Sequence, residues 1–499
     1  MRIATRSIII LVNQVIATAV PVVMAIILTR MLAKSELGIY RQVTMVYLLV
    51  SSILSLNIPN SMYYFLPKAK EVEHRGILFQ TILTLFVMAV AATLLMWFGA
   101  DVLARYIAKD PALAAPLKAY SFFALGNMIS LVISPALISK ERVVLAGVYQ
   151  ISQSVIRVTA IVTAFAIGLS VERVMHIAVL TSAVAAVIGL ALLLFTTVKG
   201  QIRITTKMFT EQMHYVIPLA AAGLTGILSR YLDKWIIMYF FASAQFAVYS
   251  IGATQIPVVS LITVSVTNAM MPDIVRLGKE NKMRKAMGLW HEGIRKCSLV
   301  IFPAYIFCLI ASRDLIVLFF SKDYIESLGP FIIYLTLIPI QVAFSGTILR
   351  ATGNTRPILF AAICGLLVNM VLSVMLVVVF QGTYIAFLAP AIATVIALLA
   401  MSVYQLAYVA KVTSVNFRKV FPWPESLKIL SLAGFCGVFI IPLYFLLQHE
   451  ILRVSTAFML YSTIYVFALF GFKILRDDEK EMLFMPLEFL KKRFLKGLQ

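Results

Sequence analysis

The chain has 499 residues, a formal charge of +21, 61% hydrophobic residues and only 13% charged ones. Soluble domains carry about 25% charged residues, so this chain cannot coat itself with polar surface in water, and a water-soluble enzyme is excluded. Four cysteines (Cys297, Cys308, Cys364, Cys436) without CxxC spacing exclude a disulfide framework or a zinc ribbon. Five histidines, none in an HxxxH or HxxE pair, argue against a metal site, and no cofactor is expected. A polytopic membrane protein remains.

About 20 mostly apolar residues are needed for a helix to cross the hydrocarbon core. In chain order, apolar runs fall at 8–29, 43–66, 77–99, 119–138, 143–167, 174–197 and 215–240, then 247–271, 297–320, 330–349, 358–380, 384–410, 427–447 and 452–473, fourteen predicted spans. The first follows Met-Arg-Ile-Ala-Thr-Arg like a signal peptide. It is too long for one and lacks a small-residue cleavage site before Arg30, so it is expected to be retained. With the N-terminus inside, 30 of the 43 Lys and Arg fall on the inner side, 10 on the outer side and three (Arg157, Arg230, Lys234) within spans. The positive-inside rule then places both termini in the cytoplasm. This asymmetry accounts for the basic charge without a nucleic-acid partner.

The chain matches itself at a spacing of about 210 residues. Ser-Glu-Leu-Gly-Ile-Tyr (35–40) parallels Ala-Gln-Phe-Ala-Val-Tyr (244–249), and Asp101 with Lys109-Asp110 parallels Asp314 with Lys322-Asp323. Ala-Leu-Ile-Ser-Lys-Glu-Arg (136–142) parallels Leu-Arg-Ala-Thr-Gly-Asn-Thr-Arg (349–356). The three matches keep their order and imply a duplication of spans 1–6 as spans 7–12. Six is even, so both copies enter the membrane in the same direction, the parallel repeat of two-lobed transporters. The expected architecture is an all-α polytopic membrane protein of about 14 transmembrane helices. Two parallel six-helix repeats form lobes around a central cavity, and two further C-terminal helices follow. The lobes cover 1–212 and 213–412, helices 13 and 14 cover 413–475, and a basic amphipathic tail covers 476–499.

Polar groups inside a bilayer are expensive and point to a transport pathway. Gln150, Gln153, Ser154 and Arg157 in the fifth span, spaced by three, four and seven, share one helical face. Arg230, Asp233 and Lys234 share a face of the seventh. The first span adds Asn13, Gln14 and Thr18, with Arg30 at its outer end, and the second adds Arg41, Thr44, Tyr47, Ser51 and Ser55. Together they suit a cationic cavity for an anionic or sugar-bearing substrate, because arginine forks bind phosphate oxygens while Tyr, Asn and Gln bond hydroxyls. Two readings stand for Arg30 and Arg41, lining the cavity or snorkelling to the interface. Two also stand for Asp233, a cation- or proton-coupling carboxylate or a charge partner of Arg230. Prolines at 21, 218, 257, 339, 390 and 442 interrupt spans. The loop 273–296 and the tail from Pro486, with its stripe of Leu487, Leu490, Phe494 and Leu498, read as interfacial helices.

On these residues the chain resembles the polysaccharide and O-antigen flippases of the multidrug/oligosaccharidyl-lipid/polysaccharide exporter superfamily. The resemblance is carried by Leu-Thr-Arg-Met-Leu-Ala-Lys-Ser-Glu-Leu-Gly-Ile-Tyr (28–40), Leu-Asp-Lys-Trp-Ile-Ile (232–237) and Ala-Val-Tyr-Ser (247–250). Leu-Ile-Val-Leu-Phe-Phe-Ser-Lys-Asp-Tyr (315–324) and Leu-Arg-Ala-Thr-Gly-Asn-Thr-Arg-Pro (349–357) complete it. It implies two six-helix lobes plus two helices, and transbilayer movement of an undecaprenyl-diphosphate-linked oligosaccharide. It also implies the bacterial inner membrane as location, with polysaccharide polymerase and glycosyltransferases as partners. In the lipid II flippase branch, arginines on helices 1, 2 and 8 line the cavity. Arg30 and Arg41 lie near comparable positions, whereas the eighth span has no basic residue, a departure from that branch. Multidrug extruders share the architecture but place acidic residues within the lobes, where this chain offers Asp233. No Walker A pattern is present, so ATP is not expected to drive transport. A membrane-embedded enzyme would display catalytic residues on a sizeable outer loop, and none is long enough here.

Overall fold

The computed structural model describes residues 3–196, 202, 206–254, 256–280, 282–477 and 479–480. The tail from Pro486 lies outside the described residues, as does the side chain of Asn13. Among the described residues all regular structure is helical. In chain order the main helices are α1 (Ile3–Met31), α2 (Lys34–Leu54), α3 (His74–Val102), α4 (Ala114–Ser121), α5 (Phe123–Ser130) and α6 (Ile133–Ser139). Then come α7 (Val143–Ala166), α8 (Val171–Thr196), α9 (Thr206–Phe240), α10 (Ser243–Gly252), α11 (Pro257–Lys279) and α12 (Met283–Ile310). The last six are α13 (Ser312–Phe320), α14 (Leu328–Leu335), α15 (Arg356–Val379), α16 (Tyr384–Thr413), α17 (Trp423–Val438) and α18 (Glu450–Gly471).

Every predicted span falls on helix. Among the described residues eleven helices are long and apolar enough to cross a membrane, or twelve if the pair Pro111–Ser121 and Phe123–Ser139, bent by 49°, is one span. The eighth predicted span (247–271) is broken into α10 and α11, and Pro257, with no N–H to donate, opens the second piece. The first falls in α1, a continuous helix of 29 residues. The segment 273–296, read as an interfacial helix, is mostly helical, since α11 runs to Lys279 and α12 begins at Met283. Pro21, Pro218 and Pro390 lie inside continuous helices. At 35 residues, α9 would extend about 50 Å, well beyond the roughly 30 Å core.

Two compact units form. Unit 1 takes residues 1–257, 319–334 and 356–401, and unit 2 takes 258–318, 335–355 and 402–499. In unit 1 the matched motifs at 35–40 and 244–249 do the same local work. Glu36 reaches back to the Ala33 N–H (3.2 Å) to cap α2, and Gln245 reaches back to the Ala242 N–H (3.3 Å) to cap α10. The tyrosines that close the motifs, Tyr40 and Tyr249, are both buried. The two capped helices pack directly on one another, and Gly38 permits it: a Cβ there would stand 1.9 Å from the Ser243 carbonyl oxygen. Small residues at such crossings let helix backbones touch where no hydrophobic force separates protein from lipid. Elsewhere in unit 1, α1 packs along α7, α5 against α8, and α9 against α15.

In unit 2, α12 packs on α17 and α17 on α18. Their shared core holds Phe307, Leu432, Cys436, Tyr461 and Tyr465. Tyr461 and Tyr465 satisfy their hydroxyls by donating to the Ala433 and Leu299 carbonyls, each at 3.1 Å. The ends of the bundle are pinned by charge. Near the start of α18, Arg453 holds Asp314; beyond its end, Arg295 holds Glu479.

Candidate functional site

Arg157 sits two-thirds of the way along α7, the helix that packs against α1. Its guanidinium lies 4.9 Å from the centre of the Phe123 ring, a cation–π geometry. Phe123 belongs to an aromatic cluster: it stacks on Tyr120 (4.6 Å) and meets Tyr47 edge-on (5.0 Å). Tyr40 and Tyr149 also lie within the electrostatic reach of Arg157. Tyr47 donates to Asn127 Oδ1 at 2.8 Å, which holds its ring in place. The Arg157 Nε is buried and bonds to nothing among the described residues. Unit 1 therefore carries a half-buried cation in an aromatic box with hydroxyls at its rim. That arrangement can stack a sugar ring and fork onto a phosphate.

The other residues expected beside Arg157 go to different places. Gln150 is exposed, and Gln153 lines a cleft of about 40 Å³ between α7 and α8 with Tyr149 and Thr181. Arg30 is exposed in the last turn of α1. Arg41 donates through Nη1 to Ser250 (2.9 Å), with Tyr40 and Tyr324 beside it, and so joins α2 to α10. The same seam holds Ser243 against Asp110 at 2.5 Å and Lys34 over the Tyr324 ring at 5.9 Å.

A second polar centre surrounds Asp233, which is 1% exposed. The Tyr334 hydroxyl donates to its Oδ2, and Lys234 Nζ lies 3.4 Å from the same oxygen. Arg230 is exposed, and among the described residues it makes no ion pair with Asp233; the neighbouring lysine takes that role. The Tyr334 hydroxyl also faces Thr394. From there the polar chain continues, with Asn369 donating to Thr394 Oγ1 (3.1 Å) and Ser373 donating to Asn369 Oδ1 (3.0 Å). Four helices of unit 1 thus converge on one carboxylate and several neutral oxygens. Among the described residues no three His, Cys, Asp or Glu gather as metal ligands. A single carboxylate among hydroxyl and amide oxygens suits a proton or a monovalent cation better than a divalent one.

Asn127, Tyr120, Phe123, Tyr334, Asn369 and Thr394 were not singled out from sequence. Asn127 and Asn369 carry the signal that could have found them, an amide inside an apolar run. The aromatic residues carry none, because tyrosine and phenylalanine are abundant in this chain, 20 and 33 in number.

A family model described as "Polysaccharide biosynthesis protein" matches residues 27–329. No curated protein sequence matches the chain. Among solved structures, the chain is similar to "Lipid II flippase MurJ, inward closed conformation", with 14% identity and a TM-score of 0.70 over 97% of this chain and 99% of that one. It is similar to an inward-facing multidrug resistance MATE family transporter of the MOP superfamily, with 13% identity and a TM-score of 0.64 over 80% of this chain and 94% of that one. A MOP superfamily transporter from Pyrococcus furiosus, whose binding pocket has reversed polarity, matches at 14% identity and a TM-score of 0.55 over 83% of this chain and 96% of that one. At these identities the likeness establishes the fold, that of the MOP transporters.

Proposed function

Because the chain belongs to the polysaccharide biosynthesis protein family, we propose that it carries an undecaprenyl-diphosphate-linked oligosaccharide from the cytoplasmic to the outer leaflet by alternating access. The observation that carries this reading is Arg157, a cation among tyrosines inside an apolar helix bundle. The aromatic faces take sugar rings, and the guanidinium replaces the water and counterions of the diphosphate while it crosses about 30 Å of hydrocarbon. In this reading the halves 1–212 and 213–412 rock about the cargo, and helices 13 and 14 leave a groove for the polyprenyl tail. Both termini face the cytoplasm of a bacterial inner membrane. Glycosyltransferases supply the substrate, and a polysaccharide polymerase consumes it. The absence of a basic residue from the eighth span favours a polysaccharide repeat unit over lipid II as cargo.

The test is flipping of a fluorescent undecaprenyl-diphosphate oligosaccharide in proteoliposomes, read by an impermeant quencher with and without an ion gradient. Arg157→Ala is expected to lower the rate at least about tenfold, the loss of one charge-assisted hydrogen bond in the transport pathway. Unchanged flipping in a folded Arg157→Ala protein removes this residue from the pathway. A second reading, a cation-coupled drug antiporter of the same fold, is favoured by the burial of Asp233. It requires gradient-dependent dye transport that Asp233→Asn abolishes, together with no movement of lipid-linked sugar.

A further inference from the structure

At one end of unit 2, α12, α17 and the segment after α18 line an open cavity of about 780 Å³, within the roughly 300–1,000 Å³ range of small-ligand sites. One wall is ionic and internally balanced. Arg295 holds Glu479 through Nε (2.8 Å) and Nη2 (3.0 Å), and Arg476 holds Glu425 at 2.9 Å. Lys428 and Lys473 line the same cavity, are exposed, and make no ion pair among the described residues. Other lining residues are apolar and exposed. Leu427 and Phe435 are spaced by eight along one stripe of α17, and Phe472 stands beside them; they are 53%, 53% and 65% exposed. Both α17 and α18 belong to helices long and apolar enough to span a membrane, and the cavity lies where α17 begins and α18 has ended, at one membrane surface.

We propose that this cavity binds the phosphate headgroup of an anionic phospholipid, with an acyl chain lying along the Leu427–Phe435 stripe. Two ammonium groups with no ion pair among the described residues, at the depth of the headgroups, call for an anion, and an exposed apolar stripe leading from them into the hydrocarbon calls for a tail. A free phosphate would leave that stripe unused. The inference requires a membrane-spanning chain and is independent of what the protein carries, so a failed transport assay leaves it standing.

The test uses full-length protein incorporated into liposomes of phosphatidylethanolamine and phosphatidylglycerol in equal amounts, then extracted and weighed by native mass spectrometry for retained lipid. The wild type is expected to retain phosphatidylglycerol in preference to phosphatidylethanolamine. Each lysine contributes roughly fivefold to that preference, so Lys428→Gln with Lys473→Gln lowers it by roughly 25-fold. Lys411→Gln, outside the cavity, leaves it unchanged. The melting temperature of the double variant checks that it folds, and both substitutions are at exposed positions. Equal retention of the two lipids by the wild type overturns the proposal, as does undiminished phosphatidylglycerol in the folded double variant. Displacement of the lipid by inorganic phosphate as readily as by excess phosphatidylglycerol also overturns it, because the site would then read phosphate alone.

Discussion

Asparagine at position 314 keeps the shape of the side chain and removes its charge, which isolates the ion pair that pins the start of α18. Arg453 binds Asp314 in a two-pronged geometry, Nε to Oδ2 and Nη2 to Oδ1, both at 2.5 Å. The side chains are 16% and 4% exposed, and Arg453 also donates to the Leu447 carbonyl at 3.0 Å. Removing one member of a buried pair costs about 3–5 kcal/mol, because the other charge stays buried without compensation. The arginine retains some contact with solvent, so the lower end applies, about 3 kcal/mol. For a unit of about 180 residues, 1 kcal/mol shifts the melting temperature by roughly 2–4 °C, so Asp314→Asn is expected to lower it by roughly 6–12 °C. Thermal unfolding in detergent, followed by tryptophan fluorescence, reads this through Trp290 and Trp423, both in unit 2. Leucine at both 314 and 453 removes the buried charge altogether and is expected to recover most of the loss. A shift below about 2 °C for Asp314→Asn, or single-variant losses that simply add in the double variant, refutes the argument.

Gly38→Ala sets a methyl group 1.9 Å from the Ser243 carbonyl oxygen and forces α2 from α10. A loss of about 1–3 kcal/mol is expected in the same melting assay, and an unchanged melting temperature would mean that the two helices part without cost. Gln212, 2% exposed, donates to Ser61 (2.9 Å) and Thr81 (3.0 Å) and accepts from Gln80 (3.1 Å). Gln212→Leu strands these partners and is expected to cost about 1–3 kcal/mol, whereas Thr210→Ala, at an exposed position two residues earlier, should change stability by less than about 0.5 kcal/mol.

The local half of this protein is legible in its residues. Apolar runs mark where helix must form, because a backbone in hydrocarbon has to bond to itself, and all fourteen runs fall on helix. The self-matching motifs at 35–40 and 244–249 encode the helix starts that Glu36 and Gln245 cap. Breaks were harder to read. Hydropathy averaged over a window does not register that one helix stops at Gly252 and the next starts at Pro257, because the apolar residues on either side dominate the average.

Partners were settled by tertiary structure alone. Helical periodicity puts Gln150, Gln153 and Arg157 on one face, yet Gln150 is exposed, Gln153 turns toward α8 and Arg157 toward Phe123. The charges in the seventh span suggested Arg230 as the mate of Asp233, and packing instead brings Tyr334 and Lys234 to it. Arg41 meets Ser250 across 209 residues, and Asp314 meets Arg453 across 139. Hydropathy and spacing are properties of one helix and its solvent, so the sequence by itself determines which stretches become helix and which residues of a helix share a face. A side chain's partner depends on which helix lies against that face, and that choice is made by small-residue contacts and ion pairs between segments far apart in the chain.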